Sequence, residues 1–258
     1  ADIPFFVISR DRLTPLRELV TWLERAGHDE IVVVDNASTY PPLLEYLEAS
    51  PHTIVRLDEN LGHLSPWKSG TVERLATGRW YGVSDPDVIP VADCPTDAAD
   101  HLRHLLRRYP QYIKAGLGLQ IDDLPDHYVH AEHVRRWESQ FWQRSIRQGV
   151  WHARVDTTFA VYRPYEPSFQ YAVLLAMRTD APYLARHLPW YGDLSHPTDE
   201  ERYYRDHALA GVSTWETEEV GGGTRSQADD LPTRLTPYRW ATWQAYRLFR
   251  LRRRRVRD

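Results

Sequence analysis

"GRWYGVSDPDVIP" (78–90) sets a short apolar run against two aspartates, Asp85 and Asp87, with one proline between them. Such a run of β-forming residues, bounded by turn residues, reads as a buried strand. Two like charges at its end repel one another, and they persist only where open water or a cation relieves them. The sheet around this strand, and whatever its tip faces, follow from how that conflict is relieved.

Upstream, strand and helix alternate. "IPFFVISR" (3–10) reads as a buried strand. Thr14 and Pro15 then give a helix start, with Thr as N-cap and Pro at the first helical position. Leu16, Leu19, Val20, Leu23 and Ala26 follow at helical spacing until Gly27. "EIVVVDNAS" (30–38) is a continuous aliphatic run of the kind buried on both faces. "YPPLLEYLEAS" gives a second helix and "HTIVRLDEN" (52–60) a third strand; a helix from Ser65 to about Ala76, closed by Gly78, leads into the fourth, "RWYGVSD". Right-handed crossovers make such a chain an α/β fold, a mostly parallel sheet flanked by helices. Ligands in these sheets sit beyond the carboxyl ends of the strands. Every one of those ends is polar here: Ser9-Arg10-Asp11, Asp35-Asn36, Asp58-Glu59-Asn60 and Asp85-Pro86-Asp87. Four converging polar ends describe a site.

The second half is less regular. A helix is expected over 96–109, a strand over "YIKAGLGLQI" (112–121), then an acidic loop and a Trp-rich helix over 122–150. "WHARVDTTFAVYR" (151–163) reads as one strand with Asp156 inside it, and "YAVLLAMR" (171–178) as another. "ARHLPWYGDLSHPTDEERYYRDHA" (185–208) reads as a loop feeding a helix that starts near Thr198, and "EVGGGTRSQADDLP" (219–232) as a mobile loop.

At 258 residues, 42% hydrophobic and 26% charged, the chain has the composition of a globular protein with a sizeable core. A single cysteine, Cys94, excludes a disulfide framework and a multi-cysteine zinc site. That usage, with no signal-peptide pattern and no run near the ~20 residues of a membrane span, leads us to expect a cytoplasmic location. The net charge of −4 conceals an asymmetry: "YRLFRLRRRRVRD" (246–258) carries seven Arg against one Asp, about +6, which leaves about −10 on the rest. A uniformly basic nucleic-acid binder is not built that way. In the tail, Trp240, Trp243, Tyr246, Leu248, Phe249 and Leu251 interleave with Arg, as in an interfacial helix on anionic lipid or a packed helix followed by a solvated charge run.

Carboxylates at i and i+2, with Pro86 bending the chain between them, can point at one Mg²⁺ or Mn²⁺ and leave positions for phosphate oxygens. The plainer alternative is a solvated turn whose aspartates cap backbone amides. Asp35, directly after "IVVV", can accept from a base or ribose, or can serve its own "DNAS" turn. Arg10 and Lys68 can meet phosphates or be surface charges, and Asn60 with Gly62 marks a tight turn open to a ligand.

Together "FFVISRDRLTPLRELVTWLE", "IVVVDNAST", "VRLDENLGH" and "LATGRWYGVSDPDVIP" resemble the nucleotide-binding half of glycosyltransferase family 2 and its GT-A-fold relatives, over about residues 3–90. The resemblance implies a nucleotide-sugar donor whose base meets Asp35, a donor site lined by Asn60, and a divalent metal, Mn²⁺ or Mg²⁺, held by Asp85 and Asp87 on the diphosphate. It implies one domain: a donor-binding half at 1–95, an acceptor-binding and catalytic half at 96–232, and a basic tail at 233–258. The family's usual Glu-Asp pair has only "PTDEERYY" as a counterpart, with Asp199, Glu200 and Glu201, and a "QxxRW" motif is absent, which argues for transfer of a single sugar.

A hydroxyl acceptor must lose its proton as the sugar–phosphate bond breaks, so a carboxylate base is wanted near the anomeric carbon. Asp122, Asp123, Asp156, Asp193 and Glu200 are candidates, and Asp156 and Glu200 lead them. Asp156 alternatively pairs with Arg154 or Arg163. His187 in "RHLPWYGD" resembles the C-terminal histidine that GT-A enzymes bring to the metal or diphosphate. Trp190, Tyr191 and Asp122 can meet an acceptor glycan, small molecule or lipid-linked sugar, the last giving the basic tail a membrane to touch. A Rossmann dehydrogenase is set aside because no G-x-G-x-x-G follows the first strand. A nucleotidyltransferase shares the architecture but usually carries a glycine-rich loop there. A non-catalytic nucleotide-sugar or membrane-binding domain is the remaining alternative.

Overall fold

Side chains of the first strand, β1 (Phe5–Ser9), alternate between two separate cores. Phe5 and Val7 join one; Phe6 and Ile8 join the other. A strand buried on both faces needs a layer of helices on each side. The computed structural model, which describes residues 2–164 and 175–208, shows both layers. Helix α1 (Leu13–Arg25) leads to β2 (Ile31–Asp35), α2 (Pro41–Ala49), β3 (Thr53–Arg56), two short helices α3 (Ser65–Lys68) and α4 (Thr71–Ala76), and β4 (Tyr81–Ser84). These four strands lie in the order β3-β2-β1-β4, all parallel, with Ser9 level with Asp35 and Val7 level with Ser84. The chain's polar strand ends therefore emerge along one edge. Leu16, Leu19 and Leu23 of α1 pack on the Phe5 face, where each fully buried leucine contributes roughly 1.5–3 kcal/mol. Trp67 and Val72, from α3 and α4, cover the Phe6 face.

Past Asp87 the chain forms β5 (Val88–Pro90), α5 (Ala98–Arg108), β6 (Lys114–Gly116), β7 (Gly118–Leu119) and α6 (Ala131–Ser139). It continues with β8 (Ser145–Arg147), β9 (Val150–His152), β10 (Ala160–Tyr162), β11 (Ala176–Thr179), β12 (Leu184–His187) and α7 (Asp199–His207). Strand β10 runs antiparallel to β4 and carries the sheet onward through β6, β11, β9 and β8, making nine strands. A small second sheet, β5-β12-β7, sets His187 level with Val88.

The mixed α/β architecture matches the sequence reading, and several local expectations are corrected. Helix α1 begins at Leu13, with Arg12 rather than Thr14 at the N-cap. Its first turn receives a carboxylate from elsewhere: Glu200 of α7 accepts from the Thr14 amide (3.0 and 3.2 Å) and from its hydroxyl (3.1 Å). The single helix expected from Ser65 to Ala76 breaks at Gly70, which takes φ +72°. "YIKAGLGLQI" divides between two sheets at Leu117. The expected Trp-rich helix ends at Ser139, and the following residues form a 3-10 turn and the β8–β9 hairpin. "WHARVDTTFAVYR" is two strands, β9 and β10, joined by a crossing segment that leaves Asp156 exposed rather than inside a strand. Leu184–His187 is a strand where a loop was expected. The 219–232 loop and the basic tail lie outside the described residues. Among the described residues no helix is long and apolar enough to cross a membrane.

Gly82 sits in β4 opposite Phe5, and a Cβ there would lie 2.4 Å from the Phe5 ring. Gly82→Ala should therefore cost about 1–3 kcal/mol by overpacking, read as a lower urea midpoint with an unchanged m-value. An unchanged midpoint would mean that β1 and β4 are not packed in this register.

Candidate active site at the strand tips

Backbone and side chain together fix the tip of β4. The Asp85 amide donates to the Thr157 carbonyl (2.8 Å), and the Thr157 hydroxyl donates back to Asp85 Oδ2 (2.7 Å). This two-point clamp joins the parallel half of the sheet to the segment that crosses from β9 to β10. Burial, and then the neighbouring Asp87, push the Asp85 carboxyl well above its usual range; Asp156 adds to the effect, and the Thr157 hydroxyl opposes it. Asp87 turns the other way. Its Oδ2 accepts from Arg12 Nη1 (2.9 Å), and its Oδ1 lies 3.9 Å from His187 Nε2. The Arg12 guanidinium also stacks on the Tyr204 ring of α7, 4.0 Å from its centroid.

A cavity of about 180 Å³ opens beside these residues. Asp85, Asp156, His187 and Trp190 line it together, with Trp137 and Phe141 as further aromatic wall and Arg154, Thr158 and Arg178 as polar groups. Two buried polar atoms on this wall, Thr158 Oγ1 and His187 Nδ1, have no hydrogen-bond partner among the described residues. Burial lowers the affinity of His187 for a proton, against the pull of Asp87, and favours the neutral ring. The far wall is braced by a buried ion pair, Arg178 Nη1 to Glu138 Oε2 (2.5 Å), which ties α6 to β11; burial raises the Glu138 carboxyl and Arg178 opposes that. Beneath the crossing segment, Lys114 reaches the Asp156 carbonyl (3.4 Å) and the Tyr162 hydroxyl (3.5 Å). Burial pushes this amine down to about 8, with Asp156 opposing and Arg178 and Arg154 reinforcing the shift.

The remaining candidates are deployed elsewhere. Asp35 is fully enclosed: its carboxylate accepts from the Ser38 amide (3.3 Å) and from Arg56 Nε (3.1 Å), so the half-exposed Arg56 presents charge at that tip. Asn60 is bonded to the Asn36 side chain (2.6 Å), and Arg10 points into the Asn36 and Ala37 carbonyls (2.8 and 2.5 Å) rather than outward. Lys68 is exposed and folds back on the Leu61 carbonyl (3.0 Å). Glu200 caps α1, away from the cavity lining. Asp193 is closed in its own turn, where bonds from Ser195 and then His196 hold its pKa well below the usual carboxylate range. Asp122 is exposed, and its neighbour Asp123 takes the Tyr191 hydroxyl (2.6 Å) and Arg186 (2.9 Å).

Sequence reading missed Arg12, Thr157, Lys114 and the Glu138–Arg178 pair. Arg12 had a signal, since it stands beside Arg10 in "SRDR". Asp11 between them, however, takes φ +49°, so strand alternation cannot be carried across it.

The donor set suits a hard divalent cation. Asp85 and Asp156 line the same cavity and Asp87 lies within electrostatic reach of Asp85, whose carboxyl is raised first by burial and then by Asp87. Among the described residues no three His, Cys, Asp or Glu side chains are grouped so as to hold a metal ion by themselves. An ion here would therefore need oxygens from a ligand, as Mg²⁺-type sites commonly do.

No family model matches the chain, and no curated protein matches it. Among solved structures it is similar to a cytidylyltransferase from Leptospira borgpetersenii serovar Hardjo-bovis (11% identity, 48% of this chain and 56% of that one, TM-score 0.33). It is also similar to glucosyl-3-phosphoglycerate synthase from Mycobacterium tuberculosis in complex with Mn²⁺ and UDP-glucose (13%, 63% and 56%, TM-score 0.37) and to an apo UDP-glucose pyrophosphorylase (9%, 80% and 100%, TM-score 0.40). The chain spans little more than half the length of the first two. At these scores the chemistry rests on the site itself.

Because the folded chain favours protonated Asp85, its stability should fall as pH rises above the ordinary value of 3.8, and at neutral pH the ionised acid is a burden. Asp85→Asn keeps an acceptor for Thr157 and should stabilise the protein at pH 7. The gain should shrink towards pH 4. A loss of stability at pH 7 in urea unfolding would contradict this electrostatic account.

Proposed function

We propose that the protein is a metal-dependent glycosyltransferase that moves one sugar from a nucleotide-sugar donor to a hydroxyl acceptor. The observation that carries this reading is that Asp85 and Asp156 line an aromatic-walled cavity at the end of a parallel strand, with Asp87 close enough to raise the Asp85 carboxyl. Diphosphates bind where such strands end, and aromatic faces with carboxylates suit a sugar ring and its hydroxyls.

In this reading the nucleoside lies across the tips of β1, β2 and β3, near Arg56 and Asn60. Asp35 serves by holding Arg56. Asp85 and Asp87 would hold Mn²⁺ or Mg²⁺, which when bound neutralises the charge that grows on the leaving diphosphate. The sugar enters the cavity against Trp190, with Thr158 Oγ1 and His187 Nδ1 available to its hydroxyls. Asp156, exposed at the rim, takes the proton of the acceptor hydroxyl as its oxygen bonds to the anomeric carbon and the sugar–phosphate bond breaks. Lys114, bonded to the Asp156 carbonyl from below, fixes that segment.

Nucleotidyl transfer is less well supported. It calls for free backbone amides over a triphosphate after β1, whereas residues 9–12 contain no glycine and the Asp11 amide is taken by Ser38 Oγ (3.0 Å).

A screen of UDP-, GDP- and dTDP-sugars for hydrolysis should find one donor turned over with Mn²⁺ and not with EDTA. Asp87→Asn and Asp156→Asn should each lower that rate on the order of 100-fold or more while the far-UV circular dichroism is kept. Release of pyrophosphate from a nucleoside triphosphate and a sugar phosphate, with no donor hydrolysed, would favour the nucleotidyltransferase.

A further inference from the structure

We propose that Arg12 is a built-in counter-cation for Asp87, one that competes with the divalent ion and so sets how tightly the empty site binds it. This rests on the metal reading above and concerns the chain's own residues toward that ion. Arg12 Nη1 donates to Asp87 Oδ2 at 2.9 Å, and both side chains are largely withdrawn from water, at 12% and 14% exposure. A carboxylate oxygen already accepting a charge-assisted hydrogen bond is a poorer ligand, and a second cation beside the guanidinium is repelled. His187 stands toward the other oxygen. Oδ2 of Asp87 is therefore open to an incoming ion only if Arg12 moves, while Oδ1 accepts no hydrogen bond from His187.

Tyr204 keeps Arg12 where it is. The stack places the guanidinium between α7 and the strand tip, and Arg12 occupies the N-cap position of α1, where its backbone is fixed. An anionic diphosphate arriving at the same tip offers the guanidinium a second acceptor of matching geometry. Arg12 thus couples cation binding to donor binding: the ion binds weakly alone and fully once the phosphates draw the guanidinium away. Arg12 is a positioning residue in this scheme.

The test is Mn²⁺ binding to the full chain without nucleotide, followed by electron paramagnetic resonance, in wild type and in Arg12→Gln, Tyr204→Ala and Asp87→Asn. Arg12→Gln should bind Mn²⁺ about tenfold tighter than wild type, the low end of what a charge-assisted hydrogen bond is worth. Tyr204→Ala should also tighten binding, by a few-fold, because it loosens Arg12. It stays informative if the Arg12 variant does not fold, since α7 buries none of its side chains. Binding equal to or weaker than wild type in these variants, with Asp87→Asn abolishing it, overturns the competition and leaves the metal site standing. No Mn²⁺ binding by any variant, or binding that Asp87→Asn does not alter, overturns the metal reading and this inference together.

Discussion

The two-point clamp between Asp85 and Thr157 is the constraint on which the site depends. It is made where a parallel strand meets an antiparallel neighbour, so the same pair of bonds that continues the sheet also aims a carboxylate out of its edge. Crossing from β9 to β10 through residues 153–159 then sets Asp156 and Thr158 on the wall that Asp85 faces. The returning strand β12 adds His187 from the other side. One register thus assembles groups from three distant parts of the sequence.

That assembly runs against stability. Burial and like charge both disfavour ionised Asp85, and nearby Lys114 is a buried amine with no carboxylate in hydrogen-bond contact among the described residues. Folded chains keep such charges where a ligand later relieves them. The surrounding structure bears the cost through hydrophobic cores on both faces of the sheet and through the Arg178–Glu138 pair that braces the far wall.

Much of the first half was legible in the sequence because its signals are local. The run "IVVVD" buries all five of its residues, and Gly27 and Gly78 take the positive φ that ends a helix. The Thr198–Glu201 capping box likewise marks the start of α7. Legibility fails where the partner is remote. Nothing near Thr14 shows that Glu200 caps it across 186 residues, and nothing near Asp35 shows that Arg56 encloses it. The bend at Leu117 and the broken strand at 153–159 depend on which neighbouring strand is available, and periodicity does not encode that. Asp85, Asp156 and His187, singled out in the sequence, line one cavity, while Arg12 emerged only with the turn at Asp11.

The central claim is that charge at the β4 tip makes a place for a divalent ion shared with a diphosphate. Calorimetric titration of nucleoside diphosphates, with and without Mn²⁺, into wild type and an Asp85→Asn/Asp87→Asn double variant tests it most directly. The account predicts that one nucleotide binds wild type tightly only with the metal and that the double variant loses this dependence. Equal binding with and without Mn²⁺, unchanged in the double variant, would contradict it.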